Sequence, residues 1–193
     1  MPGEKVAVVG HSFVNHLRDF VREDLFTDDS FGYRNAEVRF FGVSGLTIGK
    51  LRRIERRMQL FRPEIVIVIL GDNDIKDGVD PAILSLRLVA AVAMIQRWAG
   101  NAKVIKIDLF PRFWVPSYKY FCADYEQVAM AINAEFREQL EGVQNIFAWS
   151  CRGLCFHDAR SENWKADGVH LLAAGNSLLY QGIKKALQVF KHM

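Results

Sequence analysis

Five short apolar segments, separated by segments with helical spacing, are the feature that most restricts how this chain can fold. They are rich in β-branched residues and comprise residues 5–9, 37–41, 65–70, 103–108 and 145–148. Their apolar character is continuous rather than alternating, which is typical of strands buried on both faces of a sheet. The sequence therefore predicts a five-stranded parallel sheet.

The intervening segments place apolar side chains on one helical face. Residues 14–25 do so with Leu17, Phe20, Val21 and Leu25, and residues 48–61 with Leu51, Ile54, Met58 and Phe61. Further helices are predicted at residues 81–98, 124–140 and 171–190, and Asp80 followed by Pro81 is a suitable start for the first of these. Repeated strand–helix alternation predicts a three-layer α/β fold with helices on both faces of the sheet.

Composition limits the broad class of protein. The chain has 193 residues, 50% hydrophobic and 24% charged, which is ordinary for a globular domain, and its net charge of +3 is too small to indicate nucleic-acid binding by itself. No linker, repeat or low-complexity tract interrupts it. We predict a single domain over residues 1–193, of a kind that could be excised from a longer protein.

Cysteine usage and the N-terminal sequence bear on the compartment. Cys122, Cys151 and Cys155 cannot all pair, and although His157 lies close in sequence, no fourth metal ligand is evident. We predict free thiols, no metal and a reducing compartment. The N-terminus lacks a cationic stretch followed by an apolar one, and the longest apolar run, residues 65–70, is too short to span a membrane, so we expect a cytoplasmic protein.

Four polar segments follow predicted strands or precede the last helix. They are Gly10-His11-Ser12, Ser44-Gly45, Gly71-Asp72-Asn73-Asp74 and Asp167-Gly168-Val169-His170. In open parallel sheets the ligand crevice lies outside the carboxyl ends of the strands, so these segments are expected to converge. They supply a hydroxyl, turn N–H groups, an amide, and an Asp and a His three residues apart. This set indicates acyl transfer through a serine nucleophile with an oxyanion hole.

Each segment taken alone has a structural interpretation. Ser12 could cap the helix that follows it, and Asp167 could cap the final helix with His170 on the surface. In the functional interpretation, Asp167 accepts from Nδ1–H of His170 and leaves Nε2 facing Ser12, whose proton neutral imidazole can take. The occurrence of all four segments in one chain favours the functional interpretation.

In this order and at these distances, the segments resemble the sequence blocks of the SGNH (GDSL-type) hydrolase family, from residue 6 to residue 171. The resemblance implies a flavodoxin-like sheet with strand order 2-1-3-4-5. It also implies that Ser12 is the nucleophile, with His170 as base and Asp167 as its orienting acid. The oxyanion donors would be the N–H groups of Ser12 and Gly45 and the side-chain amide of Asn73.

The chain departs from the family pattern beside the serine, where His11 stands in place of the usual aspartate. We predict that His11 is structural or tunes the site, in contact with substrate, rather than acting as the base. Asp72 is assigned no role, and Asp74 is expected to anchor its loop through backbone N–H groups. The residues around Ser12 also resemble, more loosely, esterase domains in first open-reading-frame proteins of LINE-type retrotransposons.

Two regions bear on substrate and partners. Residues 110–121 carry six aromatic side chains in twelve residues, which either pack over the domain or form an apolar lip. In the second case Phe113 and Trp114 would contact substrate and Trp164 would line the same cleft. Arg112 and Lys119 would then meet a lipid phosphate.

The second region is a basic stripe along the second predicted helix. It consists of Lys50, Arg52, Arg53, Arg56, Arg57 and Arg62. The stripe is explained as a solvated outer face, and its functional alternative is contact with an anionic membrane or nucleic acid through Arg52, Arg53, Arg56 and Arg57.

The predicted activity is that of a serine esterase acting on acyl or acetyl esters of small molecules or lipids. The alternatives are a deacetylase of carbohydrates or other polar esters, and a non-catalytic module that binds nucleic acid or membrane. No cofactor is predicted, because the chain has neither a Gly-x-Gly-x-x-Gly segment nor a P-loop. The sequence does not indicate an oligomeric state.

Overall fold

A parallel five-stranded sheet forms the centre of the computed structural model, which describes residues 3–33, 35–113 and 124–190. The strands are β1 (Lys5–Gly10), β2 (Glu37–Gly42), β3 (Ile65–Ile69), β4 (Lys103–Ile107) and β5 (Ile146–Trp149). They pair in the order β2-β1-β3-β4-β5, and every pairing is parallel. The predicted fold class and strand order are confirmed.

Helices cover both faces of the sheet. They are α1 (Ser12–Glu23), α2 (Arg52–Phe61), α3 (Pro81–Trp98), α4 (Tyr125–Gln139) and α5 (Ala173–Phe190). Alternate residues of β1 separate the two cores, because Ala7 and Val9 pack with α2, α3 and α4 whereas Val6 and Val8 pack with α1 and α5. All residues of β3 are buried, as the continuous apolar run predicted.

The helices predicted at residues 14–25 and 48–61 differ most from the observed ones. Helix α1 begins at Ser12 and ends at Glu23, because Asp24 has an extended conformation (φ −87°, ψ 122°). Leu25, predicted on the buried face of this helix, is therefore 95% exposed. The predicted helix at residues 48–61 is divided into a 3-10 turn, Ile48–Lys50, and α2. The N-cap prediction is confirmed, since the Asp80 side chain accepts from the N–H groups of Ala82 and Ile83.

Helix α3 is, by length and composition alone, apolar enough to cross a membrane. Leu84, Leu88, Val92 and Ile95 of this helix are buried in the core shared with α4. Such packing is that of a core helix in a globular protein.

Candidate active site

The site lies at the carboxyl ends of β1 and β3, where the polar segments converge. Ser12 is the first residue of α1 and follows β1 after a single residue, His11. Gly10 makes this turn possible beside β3, because a Cβ there would collide with the carbonyl oxygen of Ile69. The hydroxyl of Ser12 is therefore held at the sheet edge, at the start of a helix whose first N–H groups have no intrahelical partner.

Ser12, His170 and Asp167 form a chain of hydrogen bonds. Oγ of Ser12 is 2.9 Å from Nε2 of His170, and Nδ1 of His170 is 2.7 Å from Oδ2 of Asp167. An ionised carboxylate only accepts, so Nδ1 carries the proton and Nε2 is the acceptor for the serine hydroxyl. The hydroxyl proton is thus already directed at a base.

Asp167 is fixed by its own turn. Its Oδ1 accepts from the N–H groups of Val169 and His170, each at 2.9 Å. Burial acts to raise the pKa of Asp167, but the hydrogen bonds from the His170 side chain and from these two N–H groups outweigh it, and the pKa lies below its ordinary value. The carboxylate stays ionised at neutral pH and keeps the His170 ring in one tautomer and one orientation.

The helix-capping alternatives do not describe this geometry. The N-cap of α1 is His11, without a side-chain cap, and the Ser12 hydroxyl is engaged by His170 instead. Helix α5 begins only at Ala173, beyond the turn that Asp167 closes.

The predicted oxyanion donors lie just after the carboxyl ends of β1, β2 and β3. Gly45 has a φ of +65°, in a turn closed by the bond from Leu46 N–H to the Val43 carbonyl. None of the described residues accepts from the N–H of Ser12 or of Gly45. Asn73 lies in a 3-10 turn, Asp72–Asp74, and donates through Nδ2 to the Leu46 carbonyl at 3.1 Å. An amide nitrogen carries two protons, so one remains for a ligand.

A second histidine–aspartate pair lies on the buried side of Ser12. Nε2 of His11 is 3.0 Å from Oδ2 of Asp72, and both side chains are 2% exposed. The Tyr125 hydroxyl is within donating distance of Asp72 Oδ1 (3.2 Å) and of the Phe110 carbonyl (3.1 Å). This burial is unfavourable to the prediction that His11 contacts substrate, and it is consistent with a structural or tuning role.

The electrostatics of this pair are set by its partners. Burial acts to raise the pKa of Asp72, but the hydrogen bond and charge of His11, followed by the charges of Arg112 and Lys106, lower it well below the ordinary range. Burial lowers the pKa of Lys106 to about 8, against the opposing attraction of Asp108 and Asp72. The site therefore contains an ionised Asp72, close to the cations of Arg112 and Lys106. On its rim, both oxygens of Asp74 accept from the Ile48 N–H at 3.1 Å, as predicted for a loop anchor.

The aromatic residues predicted to contact substrate are placed in part. Phe113 and Trp164 meet edge to face, with ring centroids 4.9 Å apart, and Trp164 is 4% exposed. The Phe113 N–H donates to the Gly168 carbonyl, which ties this pair to the turn that carries His170. Trp114 lies outside the described residues. Contact of these three side chains with substrate stays a prediction.

Two residues near the site were missed by the sequence reasoning. The His16 ring lies 4.7 Å from the His170 ring, and its Nδ1 is buried without a hydrogen-bond partner. The available signal was its position four residues after Ser12, which places both on one face of a helix. Arg112, considered only as a phosphate contact, donates from Nη2 to Oδ1 of Asn73 at 3.3 Å. No sequence spacing indicates that contact.

The remaining predicted features lie away from this site. Cys155, His157 and Asp158 present possible metal ligands within 4.8 Å of one another, but the Asp158 carboxylate already accepts from the N–H groups of Gly153 and Cys155. Cys151 and Cys155 are free thiols, and Cys122 lies outside the described residues. Four of the five arginines of the basic stripe, Arg52, Arg53, Arg56 and Arg57, are those proposed to contact an anionic surface, and all four are exposed.

Comparison with known proteins identifies the family. The model of the GDSL-like lipase/acylhydrolase family matches residues 9–178, and the chain belongs to this family of ester hydrolases. No curated protein matches the chain in sequence. The resemblance predicted from the polar segments is confirmed at the level of the family.

Solved structures share the fold. A GDSL-like lipase from Bacteroides thetaiotaomicron has a TM-score of 0.74 at 18% identity, over 96% of this chain and 88% of its own. The psychrotrophic esterase EstA from Pseudoalteromonas sp. has a TM-score of 0.63 at 19% identity, over 96% and 99%. A carbohydrate esterase of family 3 from Talaromyces cellulolyticus has a TM-score of 0.65 at 18% identity, over 98% and 99%. At these identities the likeness is one of fold.

Proposed function

We propose that the protein is a serine esterase that cleaves acyl or acetyl esters through an acyl-enzyme, with Ser12 as nucleophile and His170 as general base. The observation that carries the proposal is the continuous hydrogen-bond chain from Ser12 Oγ to His170 Nε2 (2.9 Å) and from His170 Nδ1 to Asp167 (2.7 Å). Family membership supports ester hydrolysis in general.

In the first half of the reaction, Ser12 Oγ attacks the ester carbonyl while its proton passes to Nε2 of His170. The carbonyl oxygen becomes an oxyanion that accepts from the N–H groups of Ser12 and Gly45 and from the second Nδ2 proton of Asn73. Collapse of this intermediate breaks the bond to the alcohol, which leaves with the proton from His170.

In the second half, water attacks the acylated Ser12 and gives its proton to the same nitrogen of His170. The second tetrahedral intermediate uses the same three donors, and its collapse returns the proton to Ser12 and releases the carboxylic acid. Asp167 stays ionised throughout and stabilises the imidazolium that forms in each half.

The test compares Ser12→Ala with the wild type on p-nitrophenyl esters from acetate to long acyl chains. We expect turnover to fall by about 10⁴- to 10⁶-fold, because the covalent route is lost. Ser161→Ala, which removes an exposed serine outside the hydrogen-bond chain, is the matched control. Equal turnover in the wild type and Ser12→Ala would reject Ser12 as the nucleophile.

The same experiment separates the substrate classes. A rate that falls steeply beyond acetate supports a deacetylase, for which acetylated sugars are then compared with acetyl aryl esters. A rate that rises with chain length supports a lipid esterase. Labelling of Ser12 by a fluorophosphonate provides a readout that needs no knowledge of the natural ester.

The basic stripe supports a second, separable proposal: binding to anionic phospholipid surfaces. Arg52, Arg53, Arg56 and Arg57 are exposed, and none of them forms an ion pair with a described residue. We expect salt-sensitive sedimentation with phosphatidylserine vesicles that is lost when the four are replaced by Gln. Equal sedimentation of both proteins would reject this surface, and capture of RNA instead would assign it to nucleic acid.

A further inference from the structure

The side-chain amide of Asn73 is held by a different neighbour at each end. Nδ2 donates to the Leu46 carbonyl at 3.1 Å, and Oδ1 accepts from Nη2 of Arg112 at 3.3 Å. A carbonyl can only accept and a guanidinium can only donate, so one of the two amide orientations satisfies both contacts and the flipped one satisfies neither. Arg112 therefore helps to fix the orientation of the Asn73 amide in which Nδ2 is the donor.

Arg112 is itself held by the buried cluster beneath the nucleophile. Its guanidinium carbon lies 4.8 Å from the centre of the Tyr125 ring, and Tyr125 is 2% exposed. The Tyr125 hydroxyl is fixed in turn by Asp72 and by the Phe110 carbonyl. A guanidinium that is stacked on an anchored ring moves little, so the position of the Arg112 guanidinium is well defined.

The surroundings strengthen the effect of this charge. Nε of Arg112 is buried, and no acceptor within the described part of the chain contacts it. In a site shielded from water the field of a cation is screened less, and a cation bonded to Oδ1 makes the Nδ2 protons of the same amide stronger donors. Arg112 thus both fixes the orientation of the amide and polarises it.

We propose that Arg112 is a positioning residue of the oxyanion hole, acting through Asn73. The inference rests on the proposed esterase function, in which Asn73 donates to the oxyanion. In this proposal the buried cluster of His11, Asp72 and Tyr125 has a role as well, because Tyr125 holds the Arg112 guanidinium that orients Asn73.

The kinetic test is a double-mutant cycle with Arg112→Met and Asn73→Ala. Loss of a single oxyanion donor in Asn73→Ala is expected to lower kcat by about 10²- to 10³-fold. Arg112→Met should lower kcat by a smaller factor, about 10- to 100-fold, with KM little changed, because the donor remains but is misoriented. The double variant should be no slower than Asn73→Ala alone, since without the amide there is nothing for Arg112 to orient.

Two further variants control the cycle. Arg112→Lys keeps a charge but loses the planar fork, and it should lie between the wild type and Arg112→Met. Arg97→Met removes an exposed arginine of α3 and should leave kcat unchanged. Losses that multiply in the double variant would overturn the proposal. A rise in KM confined to anionic esters would overturn it too, because Arg112 would then bind substrate.

A measurement without turnover separates failure of this proposal from failure of the esterase proposal. In Ser12→Ala protein, the two Nδ2 protons of Asn73 should give distinct NMR signals that exchange slowly with water. Arg112→Met should shift these signals and speed their exchange. Unchanged signals would overturn the positioning role even in an active esterase, and changed signals would support it even if the wild type cleaved no tested ester.

Discussion

The two histidine–aspartate pairs that flank Ser12 have similar chemistry and opposite surroundings. The pair on the buried side of Ser12, His11 and Asp72, is 3.0 Å apart, with both side chains 2% exposed. The pair on its open side, His170 and Asp167, is 2.7 Å apart, with side chains 24% and 33% exposed. Only the open pair reaches the serine hydroxyl with its free ring nitrogen.

The difference shows how environment, rather than residue type, divides the roles of similar groups. The acceptor nitrogen of His170 faces the Ser12 hydroxyl at a partly exposed position, so this nitrogen can gain and lose a proton during a reaction cycle. The His11–Asp72 pair is closed off by the Tyr125 hydroxyl, and both of its side chains are only 2% exposed, so it has no comparable access to solvent. The His170–Asp167 pair is therefore suited to proton transfer, and the His11–Asp72 pair is suited to holding neighbouring groups in place.

The largest expected effect comes from breaking the open pair. Asp167→Asn replaces a carboxylate that only accepts by an amide that can donate, which favours the wrong tautomer of His170 and turns a proton toward Ser12. We expect kcat to fall by about 10⁴-fold with little change in the free energy of unfolding. Steady-state kinetics and urea unfolding of the same preparation measure both quantities. A large loss of stability with kcat retained would reverse the roles of the two pairs.

The next effect comes from breaking the buried pair. Asp72→Ala leaves the buried His11 without its partner and removes one of the two acceptors of the Tyr125 hydroxyl, and we expect the free energy of unfolding to fall by about 3–5 kcal/mol. Asp19→Ala, which breaks the exposed pair of Asp19 with Arg18, is the matched control and should change it by less than about 1 kcal/mol. Equal effects in urea unfolding would show that burial of the Asp72 pair has no special weight.

The pH dependence of stability sharpens the same comparison. The pKa of Asp72 lies below its ordinary value in the folded protein, so the unfolded chain binds this proton first as the pH falls. Its contribution is complete above the unfolded pKa of about 3.9 and is lost as the pH falls through the folded pKa. We therefore expect the difference in stability between wild type and Asp72→Ala to shrink below about pH 4. A difference that grew on acidification would contradict this sign.

Most of the architecture could be predicted from local patterns. The continuous apolar runs indicate a buried parallel sheet. Three polar segments follow strands and the fourth precedes the last helix, so the sequence alone predicts Ser12, Gly45, Asn73 and His170 as site residues. The end of α1 was wrong at Leu25 because its spacing fits an apolar helical face, whereas the chain leaves the helix at Asp24.

Contacts between distant segments could not be predicted in the same way. The pairing of His11 with Asp72 joins residues 61 positions apart, and the bond from Arg112 to Asn73 joins residues 39 apart. No periodicity links such positions, since they meet only through the strand order and the packing of α4. The sequence therefore predicts the candidate reacting residues more readily than the residues that position their side chains.

The smallest expected effect concerns His16, which packs against His170 but belongs to neither pair. Burial, followed by the charges of His170 and Lys165, lowers the pKa of His16, whereas Asp19 and Asp167 act to raise it. His16 should therefore titrate at a lower pH than a histidine in the unfolded chain, whose pKa is about 6.5. Its contribution to stability is present above the unfolded pKa and is lost as the pH falls through the lower, folded pKa. NMR titration of the ring protons measures this midpoint.

Two substitutions give shifts of opposite sign at His16. His170→Asn removes a lowering charge but leaves the partial burial of the His16 ring, so the pKa of His16 should rise part of the way toward its ordinary value. Asp19→Asn removes a raising charge, so the pKa should fall further. Shifts of the same sign would mean that packing, rather than charge, sets the protonation of His16, and that it is electrostatically separate from the open pair.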